Sequence, residues 1–389
     1  MSVSIAGTVA PGYEPIRTVF EAAFDGVPSM GAALAILVEG ELVANLWGGI
    51  ADERDGRGWE HDTASVIFSC TKGLMSLLVA RLVEQGRLDY GAPVARYWPE
   101  FAAAGKGAVT VSEALGHRAG LSAPREDFEL ADILDWDAAT SKLAAQAPLW
   151  PPGEGYAYHA LTHGWLAGEL VRRVTGQSPG AYLRETIAPL GAEAWIGLPP
   201  SRGNVAHLQV APELADLWVA DAAKAAAGEI NWPYRAMTLG RALPAALVTS
   251  DGGFNDRRVQ QAEIPGAGGI ATAEALATIW SAAVTETRGV RLASADVLQR
   301  ATATVSEGAP VFPAEPPYAR WGRGFQLDSE ARRFLTVESF GHDGAGGQVA
   351  FADPRHRVGF AFITNWMRGP GDNRGTALVD TLRQLLGAS

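Results

Sequence analysis

Two long apolar stretches lie at opposite ends of this chain, and they constrain its fold more than any other feature. Residues 31–52 read GAALAILVEGELVANLWGGIAD, and residues 346–365 read GGQVAFADPRHRVGFAFITN. Each is a pair of apolar runs around a short polar turn, Glu39-Gly40 in the first case, which is the pattern of a β-hairpin. The runs are apolar at nearly every position, so the strands are expected to be covered on both faces. Residues 60–290 read as mostly helical, broken by Pro/Gly-rich connections such as APLWPPGEG and PLGAEAWIGLPPSRG. Residues 14–24 and the closing GTALVDTLRQLLG, with Leu378, Leu382 and Leu385 on one face, read as amphipathic helices. Strands at both ends with helices between predict one sheet closed by both chain ends and a large helical insertion. The expected division is a single unit over 1–389, with the sheet in 1–60 and 290–389 and the helical part in 61–289.

Composition narrows the function classes. At 47% hydrophobic and 19% charged residues, a chain of 389 residues can bury a large core of about two packed layers or subdomains. A net charge of −11 argues against a nucleic-acid backbone or an anionic membrane surface as partner. No apolar run approaches the roughly 18 residues of a transmembrane helix. The opening MSVSIAGTVAPGYEP lacks the basic start and apolar core of a signal peptide. One cysteine, Cys70, excludes an intramolecular disulfide. A soluble cytoplasmic protein is expected.

Three patterns are candidates for chemistry. GQSPG (176–180) matches the G-x-S-x-G nucleophile elbow, but that elbow follows a strand, and HGWLAGELVRRVT before it reads as a helix. Gly176 suits a helix C′ position, Ser178 an N-cap and Pro179 a first helical position, so the match reads as punctuation between helices. HALTH (159–163) places two histidines four apart, but the glutamate of H-E-x-x-H is missing and no third ligand is near, so no metal is expected. SCTK (69–72) puts Ser69 and Lys72 on one face if a helix begins here, with Cys70 turned about 100° away. The apolar GLMSLLVARLVEQG that follows predicts a buried helix stopped at Gly86. Burial and the helix N-terminus both disfavour the ammonium form of Lys72, and a neutral lysine can take the serine proton. The unpaired N–H of Ser69 can donate to a developing oxyanion.

The order of motifs around SCTK resembles the serine beta-lactamase and penicillin-binding-protein superfamily, and is most similar to the branch called family VIII carboxylesterases. FSCTKG resembles its S-x-x-K motif. VTVSEALGHRAGL resembles its helix ending in a His-x-x-Gly-Leu turn, here His117 to Leu121. PPGEGYAYHALTHGWLAGEL resembles the segment with the catalytic tyrosine, EIPGAGGIATAEALATIW a Gly-rich structural turn before a helix, and FGHDGAGGQVAFADP the strand that carries Lys-Thr-Gly in lactamases.

The resemblance implies a beta-lactamase-like α+β fold with an antiparallel sheet flanked by helices. It implies Ser69 as nucleophile, Lys72 as its base and, by register, Tyr158 as proton carrier, with Tyr156 as the nearby rival. It places His342, Asp343 and Gly344 at the third motif and gives the Ala345 N–H the second half of the oxyanion hole. The chain departs from lactamases at Ala160, where they carry Asn or Ser, and at His342, where they carry lysine. Both changes remove polar groups that would hold a beta-lactam. The implied activity is hydrolysis of small to medium carboxylic esters without metal or cofactor. Transfer of the acyl group to an alcohol or amine, and beta-lactam hydrolysis, are the alternatives. The tryptophans suggest an apolar substrate pocket, though most are expected in the core.

Overall fold

The computed structural model describes residues 3–228, 230–369 and 371–388; the remaining positions of the expected 1–389 unit lie outside the described residues. The main sheet is built from both ends of the chain. Its strands are β1 (Ile5–Val9), β2 (Gly31–Val38), β3 (Glu41–Asp52), β4 (Arg320–Trp321), β5 (Gln326–Leu327), β6 (Phe340–Gly344), β7 (Gln348–Asp353) and β8 (Val358–Thr364). They lie in the order β1-β3-β2-β8-β7-β6-β5-β4, and Arg57–Gly58 adds a short ninth strand beside β3. Every neighbouring pair along this path is antiparallel. The two ends of the chain meet at the centre, where Ala35 of β2 pairs with Ala361 of β8. The hairpin between β2 and β3 turns through Glu39 (φ 54°) and Gly40 (φ 87°), the paired positive φ of a type I′ turn.

The central strands β2, β7 and β8 are buried on both faces, as their unbroken apolar runs predict, whereas β3, next to the edge strand β1, alternates buried with part-exposed positions and leaves Leu42 exposed. Alternation along each strand sends large residues to one face and small ones to the other. Leu34, Ile36, Phe351, Phe360 and Phe362 pack beneath helices α1 (Glu14–Ala22) and α5 (Arg374–Leu386), through Ile16, Phe20, Leu378 and Leu382. Full burial of each such side chain contributes about 1.5–3 kcal/mol. Ala33, Ala35, Ala350, Ala352 and Ala361 face the opposite side. These small residues admit helix α4 (Ala273–Val284) close to the strands. A Cβ on Gly359 would lie 2.2 Å from the Ala277 carbonyl oxygen, so only glycine allows the contact.

Helix α2 (Cys70–Glu84) lies between this face and helix α3 (Thr162–Thr175), and all its residues except Arg81 and Glu84 are buried. A helix apolar on most sides belongs in a core. Gly73 is required where it passes Trp280, whose ring would stand 2.6 Å from a Cβ there. The helix stops before Gly86, which takes φ 69°.

The helical span also contains short strands that give no periodic signal in the sequence. Ser65–Val66, Gly269–Ala271 and Ala194–Ile196 form a small antiparallel sheet. It pins the glycine-rich turn before α4 against the start of α2. The Ile67 N–H donates to the Gly269 carbonyl at 2.8 Å, and the Gly269 N–H to Thr71 Oγ1 at 2.9 Å. GQSPG is punctuation between helices: Gly176 closes α3 at φ 76°, and Ser178 caps the helix Pro179–Ile187 by accepting from the Ala181 N–H.

Candidate active site

Ser69 stands immediately before the first residue of α2, where its hydroxyl is held by a rigid element and stays partly exposed. The residue ahead of it, Phe68, is wholly buried with φ 43°, a conformation that strains any side chain bearing a Cβ. Two contacts hold it. The Phe68 ring meets Phe254 edge-on with centroids 5.3 Å apart, and its carbonyl accepts from Thr71 Oγ1 at 2.5 Å and the Thr71 N–H at 2.9 Å. The chain thus makes a sharp turn into the helix and presents Ser69 at the corner.

Lys72 is completely buried, and no carboxylate forms an ion pair with it among the described residues. Its Nζ reaches Ser69 Oγ at 3.0 Å, the Ala160 carbonyl at 2.6 Å and the Gly266 carbonyl at 2.7 Å. Burial lowers its pKa to about 7, with Asp343 and Cys70 opposing weakly. A neutral amine has two N–H donors and one lone pair. The two carbonyls take the donors, so the lone pair faces the serine hydroxyl. The ammonium form finds an acceptor for each of its three hydrogens at the same atoms. Both protonation states therefore fit without rearrangement, as a general base requires.

Tyr158 OH donates to Ser69 Oγ at 2.8 Å, and Lys72 Nζ sits 4.8 Å from its ring centroid. Desolvation raises the phenol pKa, further helped by Asp343 and Cys70 and opposed by the bond to Ser69, so Tyr158 stays a neutral donor. Trp321 stacks on its ring at 5.1 Å and 19°. Tyr156, the alternative in the sequence, points elsewhere and bonds to the Gly308 carbonyl at 2.6 Å.

The end of β6 abuts the Ser69 turn. A Cβ on Gly344 would lie 2.6 Å from the Ile67 carbonyl oxygen, and Gln348 Nε2 bonds to the Val66 carbonyl at 2.8 Å. Ala345 follows at the rim. Neither its N–H nor that of Ser69 has a hydrogen-bond partner among the described residues. His342 is buried. Its Nδ1 lies 2.6 Å from the Asp343 carbonyl, its ring faces Trp321 and Tyr158, and burial lowers its pKa, so it brings no positive charge. Burial opposes ionisation of Asp343, but Arg332 at 3.0 Å outweighs it and holds the carboxyl well below the usual range.

Cys70 is buried on the far side of the helix start, with Sγ 3.2 Å from the His342 carbonyl oxygen, and burial pushes its thiol pKa strongly up. A thiol so desolvated is inert. His159 and His163 do not share a helix, since α3 begins at Thr162. His159 bridges Ala157 O and the Leu121 N–H, and His163 Nε2 faces Leu115 O.

An apolar cavity of about 230 Å³ opens beside Tyr158, lined by Ala160, Trp232, Ala236, Met237 and Phe312 among others. No charged side chain lines it. Trp232 is therefore one tryptophan outside the core, whereas Trp98, Trp165 and Trp280 are fully buried. Sequence reasoning did not find the carbonyls of Ala160 and Gly266, because any residue supplies a carbonyl. It also missed Trp321, which lies far along the chain from Tyr158.

The model of the beta-lactamase family matches residues 20–384. The chain belongs to the beta-lactamase family. Among its relatives, the esterase/beta-lactamase LipL of Mycobacterium tuberculosis is 33% identical over 374 residues, covering 94% of this chain and 84% of LipL. The solved structure of a family VIII carboxylesterase superimposes with a TM-score of 0.84 at 36% identity, over 98% of this chain and all of that one. A penicillin-binding-protein homologue from Caulobacter crescentus gives 0.85 at 38% identity, over 98% of this chain and 100% of its own. The fold is thus beta-lactamase-like, as the motif order implied, and the chain is an esterase/beta-lactamase-family hydrolase. No helix among the described residues is long and apolar enough to cross a membrane.

Proposed function

We propose that this protein is a serine hydrolase of small to medium carboxylic esters that works through an acyl-enzyme on Ser69. The observation that carries the reading is the hydrogen-bonding of Lys72. Two carbonyls fix its N–H groups, burial leaves about half of it neutral at pH 7, and the neutral form's lone pair is left for Ser69 Oγ.

Ser69 Oγ attacks the ester carbonyl carbon while its proton passes to Lys72 Nζ. The carbonyl oxygen becomes an oxyanion facing the Ser69 and Ala345 N–H groups. The intermediate collapses, the C–O bond to the alcohol breaks, and the Lys72 proton reaches the departing oxygen through the Tyr158 hydroxyl, which gives one proton and receives another. Water then enters. It loses a proton to Lys72 as it adds to the acyl carbon; the bond from that carbon to Ser69 Oγ then breaks, Lys72 returns the proton to Oγ, and the carboxylic acid leaves. Ester and water are consumed; acid and alcohol are formed.

The surroundings support an ester over a beta-lactam. The pocket is apolar, with Ala160 where lactamases carry an amide or hydroxyl, and neutral His342 occupies the place of their lysine. A substrate carboxylate would find no cation in the apolar pocket. The test is a panel of esters, amides and a chromogenic cephalosporin, with Ser69→Ala as control and a fluorophosphonate label located by mass. Ester turnover and a label on Ser69, both lost in Ser69→Ala, are expected. An unlabelled serine with unchanged ester hydrolysis in Ser69→Ala refutes the reading.

A further inference from the structure

The HRAGL and HALTH motifs form one device. His117 sits at φ 65°, in the left-handed region, directly after the short helix Val111–Leu115 and Gly116. Its carbonyl accepts the N–H of Ala157 at 3.2 Å, and its ring Nδ1 accepts the N–H of His159 at 3.1 Å. The residue between those two is Tyr158. The His117 ring also lies 5.1 Å from the Tyr158 ring and meets Trp321 edge-on at 4.7 Å, while Trp321 stacks on Tyr158. One residue thus grips the backbone on both sides of the tyrosine and wedges its ring. Because Nδ1 accepts, the ring is the neutral tautomer with its hydrogen on Nε2.

We infer that His117 is a positioning residue for Tyr158: it fixes the phenol at hydrogen-bond distance from Ser69 Oγ through the two peptide N–H groups that flank the tyrosine. This rests on the proposed role of Tyr158. His117 does not itself reach the reacting atoms.

The test compares His117→Gly with His117→Asn. Glycine tolerates the positive φ and keeps the backbone carbonyl but removes the Nδ1 acceptor and the ring. Asparagine also tolerates that φ and offers a side-chain oxygen to the His159 N–H. For a small ester, kcat of folded His117→Gly should fall about 10- to 100-fold, the range for a misplaced catalytic group, with KM nearly unchanged. His117→Asn should recover most of kcat. In a Tyr158→Phe background, His117→Gly should lower kcat no further, since the hydroxyl it positions is gone.

Thermal unfolding confirms that each variant is folded. If Tyr158→Phe alone leaves kcat intact, the role of Tyr158 fails and this inference with it. If Tyr158→Phe lowers kcat but folded His117→Gly does not, or if its loss is undiminished in the Phe background, His117 only packs and the inference alone is overturned.

Discussion

The hydrogen-bonded environment of Lys72 makes a quantitative prediction about pH. An exposed lysine with a pKa near 10.5 would be neutral in only about three molecules in ten thousand at pH 7. Burial brings the value in this site to about 7, so roughly half the molecules carry the base form at that pH, a gain of about a thousandfold. The neutral amine is the active form, so activity must rise as pH rises through this value. About 9% of the amine is neutral at pH 6 and about 91% at pH 8, so kcat/KM at pH 6 should be about one-tenth of that at pH 8.

The neighbouring imidazoles are all shifted downward, away from this inflection. Burial holds the His117 and His163 rings well below the usual range, that of His159 at about 4, and that of His342 below its ordinary value. The assay is the initial rate on a short-chain ester held well below KM, followed by pH-stat or at an isosbestic wavelength, from about pH 5.5 to 8.5. Lys72→Arg serves as control. A guanidinium stays charged and cannot act as a base, so a loss of about 10²- to 10⁴-fold is expected. A flat profile, or an arginine variant with near-parental activity, would refute the assignment of Lys72 as base.

Other perturbations follow from the same geometry. Asp343→Asn removes a charge that favours the Lys72 ammonium, so the acid limb of kcat/KM should move to lower pH. Cys70→Ala should keep most ester hydrolysis, because the thiol points to the His342 carbonyl and away from Ser69; loss comparable to Ser69→Ala would contradict that orientation. Ala236→Leu should narrow the apolar cavity and lower kcat/KM for a longer ester relative to an acetate by about 10-fold or more, measured on an acyl and alcohol length series. Buried Lys106 bonds the carbonyls of Ala103, Ala144 and Gln146 and has its pKa lowered by burial to about 8. A lysine pKa lowered on folding means the unfolded chain binds more protons above that value, so stability should rise between about pH 8 and 10. Denaturant unfolding should show this gain in the parent and a smaller one in Lys106→Met, where Lys72 still contributes and the raised Cys70 thiol opposes it above about pH 9.

What the sequence by itself determined is the frame and the pairing of Ser69 with Lys72. Apolar runs at residues 31–52 and 346–365 pointed to strands buried in a sheet shared by both chain ends, which β2, β7 and β8 bear out. The spacing of Ser69 and Lys72 placed them on one helical face, and the apolar residues after them made the lysine buried and therefore partly neutral near pH 7. Local chemistry was likewise readable at Gly176, Ser178 and Pro179, where each residue type fits one helix-end position.

The tertiary structure decided everything that depends on backbone atoms from distant segments. The carbonyls of Ala160 and Gly266 orient the Lys72 lone pair, yet no side chain marks a carbonyl in a sequence. That Tyr158 rather than Tyr156 meets Ser69 depends on which way one short loop faces, and the loop is contacted there by His117 and Trp321 from other parts of the chain. Short strands such as Ser65–Val66 and Gly269–Ala271 are too brief for a period to emerge, but they dock the glycine-rich turn onto the helix start. Periodicity records which face of an element is buried. It does not record which neighbour buries it, and at this site the neighbour supplies the chemistry.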